Sequence, residues 1–288
     1  MPPCPLPARQ ARAGTFFLSR MEAPMTSPFW IGTSWKMNKT LRQARDYAAQ
    51  LVSAAEWRDP RLQAFIIPPF TALATVCEAV RETPLLVGAQ NMHWADHGAY
   101  TGEISPPMIK DCGAALVELG HSERRSLFNE TDKTINCKVQ AALAHGLRPL
   151  ICVGESERDK RYGLAAEVVS MQVKIALHGL MPAALRRVLI AYEPVWAIGE
   201  SGIPATPDYA NEMHGRIRLV LAALTAEAAQ VPILYGGSVN LQNCRDLAAQ
   251  PQIDGLFIGR AAWEAAGFLE IVRVVLPVVP NRENLLTE

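Results

Sequence analysis

The sequence predicts an α/β fold, a single domain in which eight parallel strands, each leading into a helical segment, close into a barrel. Three observations lead there. Short runs of β-rich composition alternate along the chain with longer stretches of helical periodicity. An open doubly wound sheet, the rival architecture, lacks its signature, since no GxGxxG turn follows the first strand. The residues able to do chemistry stand just after strands, and in a parallel barrel all such positions converge on one rim.

Taken in order, a first strand is expected over residues 29–33, with a helix over 41–55. A second strand at 63–67 leads to a helix at 71–80. The third strand, 85–89, is followed by a long irregular stretch, and the fourth, 116–119, ends in a strand-to-helix turn at His121 before a helix over 135–145. The fifth strand spans 148–152. The charge run from Glu155 to Arg161 reads as a solvated helix start, and a helix over 164–177 follows. A sixth strand at 188–192 precedes a helix at 209–229, a seventh at 232–235 precedes one at 241–249, and an eighth at 255–258 precedes one at 268–275.

The chain has 288 residues, of which 49% are hydrophobic, enough for a barrel core of ordinary size. Lys and Arg total 28, balanced by 28 Asp and Glu, so bulk charge gives no argument for nucleic acid or a membrane surface as partner. Any anion site must be local. No apolar run is long enough to span a bilayer. Six cysteines without a CxxC pair read as reduced thiols in the cytoplasm. Residues 1–28 carry six prolines and a single acid, Glu22. They read as an N-terminal extension, disordered or lying ahead of a native start at Met21 or Met25. The barrel domain is expected over 29–280, with a C-terminal tail at 281–288.

Glu193 ends an apolar strand and precedes Pro194-Val195-Trp196-Ala197-Ile198-Gly199. Apolar neighbours raise a carboxyl pKa and make it a useful base, and the loop after it could close over a ligand. In isolation the same glutamate would read as a cap or a salt-bridge partner. His121 sits at the start of a helix, where a second positive charge is disfavoured, so its imidazole should stay neutral and donate a hydrogen bond. Lys36 supplies a fixed charge near the rim. Gly236-Gly237-Ser238 and Gly259 can bring backbone N–H groups close to a phosphate, or merely form tight turns. His93 and His97 have a metal-like spacing but lie in a loop, where that spacing loses its geometric meaning.

Together, seven ordered segments resemble the triosephosphate isomerase family: Trp35-Lys36-Met37-Asn38, Gly88-Ala89-Gln90-Asn91, Tyr100-Thr101-Gly102-Glu103, Gly120 to Arg125, Cys152-Val153-Gly154-Glu155, Tyr192 to Gly199, and Tyr235 to Asn240. The resemblance implies a (β/α)8 TIM barrel and a cofactor-independent, metal-independent sugar-phosphate isomerase. It implies that Glu193 shuttles a proton between adjacent carbons, that His121 polarises the carbonyl, that Lys36 stabilises the enediolate and phosphate, and that Glu123 supports them. Gly199, Ser238 and the Gly259 loop would hold the phosphate. A neutral His and a closing loop are established features of triosephosphate isomerase itself. A homodimer through the Thr101 loop is implied too.

Three departures from the family cluster at the substrate. Ser34 stands where the family has Asn, Arg260 where it has a second Gly, and the loop Gly199-Glu200-Ser201-Gly202-Ile203-Pro204-Ala205 is one residue longer than usual. Ser34 vacates about the volume of a hydroxymethyl group, and Arg260 adds a forked donor. These features resemble the tetrulose-phosphate isomerase branch of erythritol catabolism, which implies interconversion of L-erythrulose 1-phosphate and D-erythrulose 4-phosphate. The rival expectation is the triose reaction of glycolysis and gluconeogenesis. A non-catalytic sugar-phosphate-binding paralogue is a more distant alternative, because such a module has no use for a positioned base.

Overall fold

A computed structural model describes residues 28–199, 202–226 and 228–279. Eight parallel strands form one closed barrel in sequence order, β1 pairing with both β2 and β8. They are β1 (Phe29–Ser34), β2 (Leu62–Ile67), β3 (Leu86–Ala89), β4 (Leu116–Leu119), β5 (Arg148–Val153), β6 (Leu189–Tyr192), β7 (Ile233–Tyr235) and β8 (Gly255–Ile258). The expected strands are all present, each within a residue of its expected bounds. No helix among the described residues is long and apolar enough to cross a membrane.

The helices are α1 (Leu41–Val52), α2 (Leu73–Val80), α3 (Pro106–Asp111), α4 (Ser122–Leu127), α5 (Asp132–Ala144), α6 (Glu157–Arg161), α7 (Ala165–Ala176), α8 (Pro182–Leu185), α9 (Pro207–Ala222), α10 (Cys244–Ala248) and α11 (Ala265–Val275). Local chemistry sets several ends. Thr40 and Gln43 form a capping box on α1. The α1 helix stops three residues before the expected end because Trp57 folds back and its indole N–H takes the Leu51 carbonyl at 2.8 Å. The α9 helix starts at Pro207, behind a Thr206 cap, and stops well short of the expected 229, where the chain turns back toward β7. The short α3 between β3 and β4 was not expected. It starts at Pro106-Pro107, and proline is well tolerated in a first helical turn.

Two apolar layers result. Inside the barrel Trp30, Phe65, Leu116, Leu150, Leu189, Leu234 and Phe257 fill the bore. Gly32 on β1 makes room for one of them, since a Cβ there would lie 2.4 Å from the Phe65 ring. A larger layer packs the outer strand faces against the helices. A packed bore closes the barrel floor and leaves the carboxyl-terminal rim as the place for a site.

Cys77, Cys112, Cys152 and Cys244 are free thiols, as expected for them, whereas Cys137 is disulfide-bonded, which corrects the reading of reduced thiols throughout. The readings of residues 1–27, which include Cys4, and of 280–288 fall outside the described residues, as do Glu200 and Ser201 in the lengthened loop. The charge-run reading needs one correction. Its first member, Glu155, is fully buried rather than solvated. It accepts hydrogen bonds from the Trp196 indole at 2.7 Å, the Tyr209 hydroxyl at 3.1 Å and the Tyr192 hydroxyl at 3.1 Å. Only the part from Glu157 onward is the exposed helix, capped by Ser156 and Asp159.

Candidate active site

At the carboxyl-terminal rim a cavity of about 620 Å³ opens between the strand ends. Lys36, His121, Glu123 and Glu193 line it, contributed by the ends of β1, β4 and β6. Ser34, Gly199, Ser238, Gly259 and Arg260 line it as well. All nine residues singled out from the sequence therefore share one pocket, although they span most of the chain.

Each is positioned by a definable cause. Lys36 follows β1 in a left-handed conformation with φ of 53°, a costly state for a residue with a Cβ that surrounding structure must hold. The Gln90 amide holds it by donating to the Lys36 carbonyl at 2.8 Å, and Asn38 donates to the Trp35 carbonyl at 2.8 Å. The Lys36 ammonium meets a Glu123 carboxylate oxygen at 2.7 Å. Burial is the largest single influence and would raise the Glu123 pKa, but the hydrogen bond from Lys36 and the nearby positive charge together outweigh it and keep the carboxyl below its ordinary value.

His121 is the cap residue of α4. Its Nδ1 accepts a hydrogen bond from the Glu123 backbone N–H at 3.2 Å. A nitrogen that accepts carries no proton, so the ring's proton is on Nε2. That Nε2 lies 3.6 Å from Glu193 Oε2. Burial, followed by the nearby Lys36 charge, holds the imidazole well below its usual pKa. The ring is a neutral donor facing the cavity, the state expected from its place at a helix start.

Glu193 is 4% exposed. Its backbone N–H bonds the Val153 carbonyl at 2.7 Å, and Gly154 lets the two strand ends approach, since a Cβ there would sit 1.9 Å from the Glu193 carbonyl. Burial first, and the charge of Glu118 second, raise the Glu193 carboxyl to about 8. Oε2 has no hydrogen-bond partner within the protein. The group is a strong base facing a neutral donor across the cavity, an arrangement suited to moving a proton on carbon beside a carbonyl.

The wall formed by the loops after β6, β7 and β8 suits an anion. Gly236 and Gly237 keep side chains out of the way. Ser238 is anchored by its N–H to the Ala197 carbonyl at 3.0 Å, tying this wall to the loop after Glu193. Gly199 in that loop has φ of 87°, a left-handed turn that glycine adopts without steric cost. Gly259 has open space where a Cβ would stand, and Arg260 begins the turn Arg260–Ala262 beside it.

Sequence reading missed two contributors. Trp263 lines the cavity and donates its indole N–H to the Ser34 carbonyl at 3.1 Å, and no sequence signal marked it. Glu118 lies under the floor on β4, and it did have a signal, as a lone acid inside Leu116-Val117-Glu118-Leu119. The two loop histidines do not converge. His93 is buried, stacked between Trp94 and Tyr100, with its Nδ1 on the Ala95 N–H at 2.9 Å, while His97 is exposed.

Residues 29–275 match the family model described as triosephosphate isomerase. The chain is 55% identical over 245 residues to a Mesorhizobium japonicum protein named L-erythrulose-1-phosphate isomerase, covering 85% of this chain and 96% of that one. A Rhizobium meliloti protein of the same name is 55% identical over 250 residues, 86% of this chain and 97% of its own. A Brucella abortus protein, again of that name, is 56% identical over 245 residues, 85% of this chain and 95% of the relative.

Proposed function

The chain belongs to the triosephosphate isomerase family, and from that premise we propose that it interconverts L-erythrulose 1-phosphate and D-erythrulose 4-phosphate. The observation that carries the chemistry is the facing pair, Glu193 with its raised carboxyl pKa and His121 with its proton on Nε2. The observation that favours the tetrose is the name shared by relatives at 54–56% identity, together with Ser34 in the cavity wall.

Glu193 takes the proton from C3 of the ketose phosphate while His121 Nε2–H donates to the C2 oxygen. The C3–H electrons form the C2=C3 bond of an enediolate, whose charge Lys36 stabilises. Returning the proton to C2, with the oxygen protons exchanged, leaves the ketone on C3. Counted from the other end, the product is D-erythrulose 4-phosphate. Glu123 holds the Lys36 ammonium and, through its N–H, the His121 tautomer. The backbone about Gly199, Ser238 and Gly259 binds the phosphate, and Arg260 adds a charge beside it. The deciding assay is turnover of L-erythrulose 1-phosphate beside glyceraldehyde 3-phosphate. A kcat/KM at least about tenfold higher for the tetrulose is the expected result, and a preference for the triose would replace the assignment with the triose reaction.

The same reading implies a homodimer interface at the exposed loop around Thr101. Sedimentation should give twice the 31.5 kDa chain mass, and Thr101→Arg should yield the monomer. The cytoplasm suits the free thiols at Cys77, Cys112, Cys152 and Cys244.

A further inference from the structure

Beneath the catalytic floor the barrel holds a carboxyl that the chemistry above does not use. Glu118 points inward from β4 into a bore otherwise filled by Trp30, Phe65, Leu116 and Leu150. It is 3% exposed, and its Oε2 has no hydrogen-bond partner. Among the described residues no cation pairs with it directly. Lys36 from the loop after β1 and Arg124 from α4 act on it only at a distance, with Glu123 of α4 opposing them, and the Ser34 hydroxyl faces it from β1.

Such a group is expensive. A buried carboxylate with one bare oxygen and no counter-ion costs several kcal/mol, and a leucine at this position would join the bore at no such cost. Its position suggests what it does. Glu193, at the end of β6, is buried as deeply and also has a bare Oε2. Between the two strands lies β5, whose buried Cys152 thiol senses both carboxyls, its pKa pushed up first by burial, then by Glu193 and Glu118.

We propose that Glu118 is a positioning residue for the isomerase reaction, a second buried carboxyl in the same bore whose negative charge strengthens Glu193 as a base. The inference rests on the reading of Glu193 as the base. Two carboxyls sharing one low-dielectric site do not readily ionise together. Both groups are shifted upward, Glu118 to about 7 and Glu193 to about 8, each with burial as the largest cause and, for Glu193, the charge of Glu118 as the second. For Glu193 the charged groups in play are Glu118, Lys36 and Glu123, with the Cys152 thiol beside it and the His121 imidazole 3.6 Å from its Oε2. A proton on carbon beside a ketone is weakly acidic, so a stronger base lowers the barrier to removing it.

The test is a carboxyl ¹³C NMR titration of the glutamate-labelled full chain, with the pH profile of kcat/KM alongside. In the wild type both Glu118 and Glu193 should titrate above pH 6. In Glu118→Gln, which keeps the shape and removes the charge, the Glu193 midpoint should fall by about one pH unit or more. The acid limb of kcat/KM should move down with it, and Glu118→Leu should act in the same direction. A wild-type Glu118 titrating near the ordinary value of about 4 overturns the proposal. So does a Glu193 midpoint, or an acid limb, that stays put in both variants. The limb can be read on dihydroxyacetone phosphate as well. If the tetrulose phosphate is not turned over but the limb still moves on the triose, the substrate assignment fails and the role of Glu118 stands. Should Glu193→Gln keep full turnover while the NMR midpoints behave as described, the base assignment fails, and the role of Glu118 in the reaction falls with it.

Discussion

Gly236 offers a direct probe of how tightly the base must be held. A Cβ added at residue 236 would stand 2.7 Å from Glu193 Cγ and 3.0 Å from its Oε1. Ordinary contact begins at 3.4 Å, so the carboxyl must retreat by about 0.7 Å. Gly236 does not have a positive φ, so alanine can adopt its backbone, and the Gly236 N–H can keep its 2.8 Å bond to the Tyr192 carbonyl. What changes is the position of the Glu193 carboxyl. Misplacing a reacting group by about 1 Å can cost on the order of a hundredfold. Gly236→Ala should therefore lower kcat by about 10- to 100-fold, with little change in affinity for an unreactive phosphate ligand such as glycerol 3-phosphate. Steady-state kinetics on L-erythrulose 1-phosphate, with calorimetric binding of the unreactive ligand, separates the two effects. A kcat within about threefold of wild type would show that the site tolerates the displacement, and the geometric account of the base would be wrong. A loss confined to binding would move the role of Gly236 to the phosphate.

Glu193→Gln should reduce kcat by about 10²- to 10⁴-fold while phosphate-ligand affinity holds, since a base is needed in the transition state and not in ground-state binding. Near-normal turnover would remove Glu193 from the proton transfer. The base works as a carboxylate whose pKa is raised to about 8, so kcat/KM should climb with pH up to about that value, changing tenfold per unit on the acid side. Because His121 is held below its usual range, it adds no second step there; a profile flat from pH 6 to 8 would contradict the raised Glu193 pKa, and a slope steeper than tenfold per unit would contradict the neutral His121. Ser34→Asn should lower kcat/KM for L-erythrulose 1-phosphate more than for dihydroxyacetone phosphate, because the larger amide enters the space of the added hydroxymethyl. Equal factors on both substrates would remove Ser34 from specificity.

The order of strands and the placement of Lys36, His121 and Glu193 on one rim were legible in the sequence because they follow from local facts. A strand declares itself by composition, and a strand end followed by Gly, Pro or a cap declares the rim. The alternation of elements then requires convergence, since parallel strands joined by helices put every such end on one face. Element boundaries were legible only to within a few residues. The end of α1 depends on Trp57 folding back to Leu51, a contact that helical periodicity does not encode. The state of each group was a tertiary matter. Glu155 and Glu157 are two residues apart in one charge run, yet one is buried under Trp196, Tyr192 and Tyr209 and the other lies on an exposed helix. His121 carries its proton on Nε2 because the Glu123 N–H folds back onto Nδ1. Glu118 stood in plain view in an apolar strand, but nothing in the chain says that a residue 75 positions earlier than Glu193 points into the same bore. Charge is felt through space, and only closure of the barrel brings these two carboxyls within each other's field.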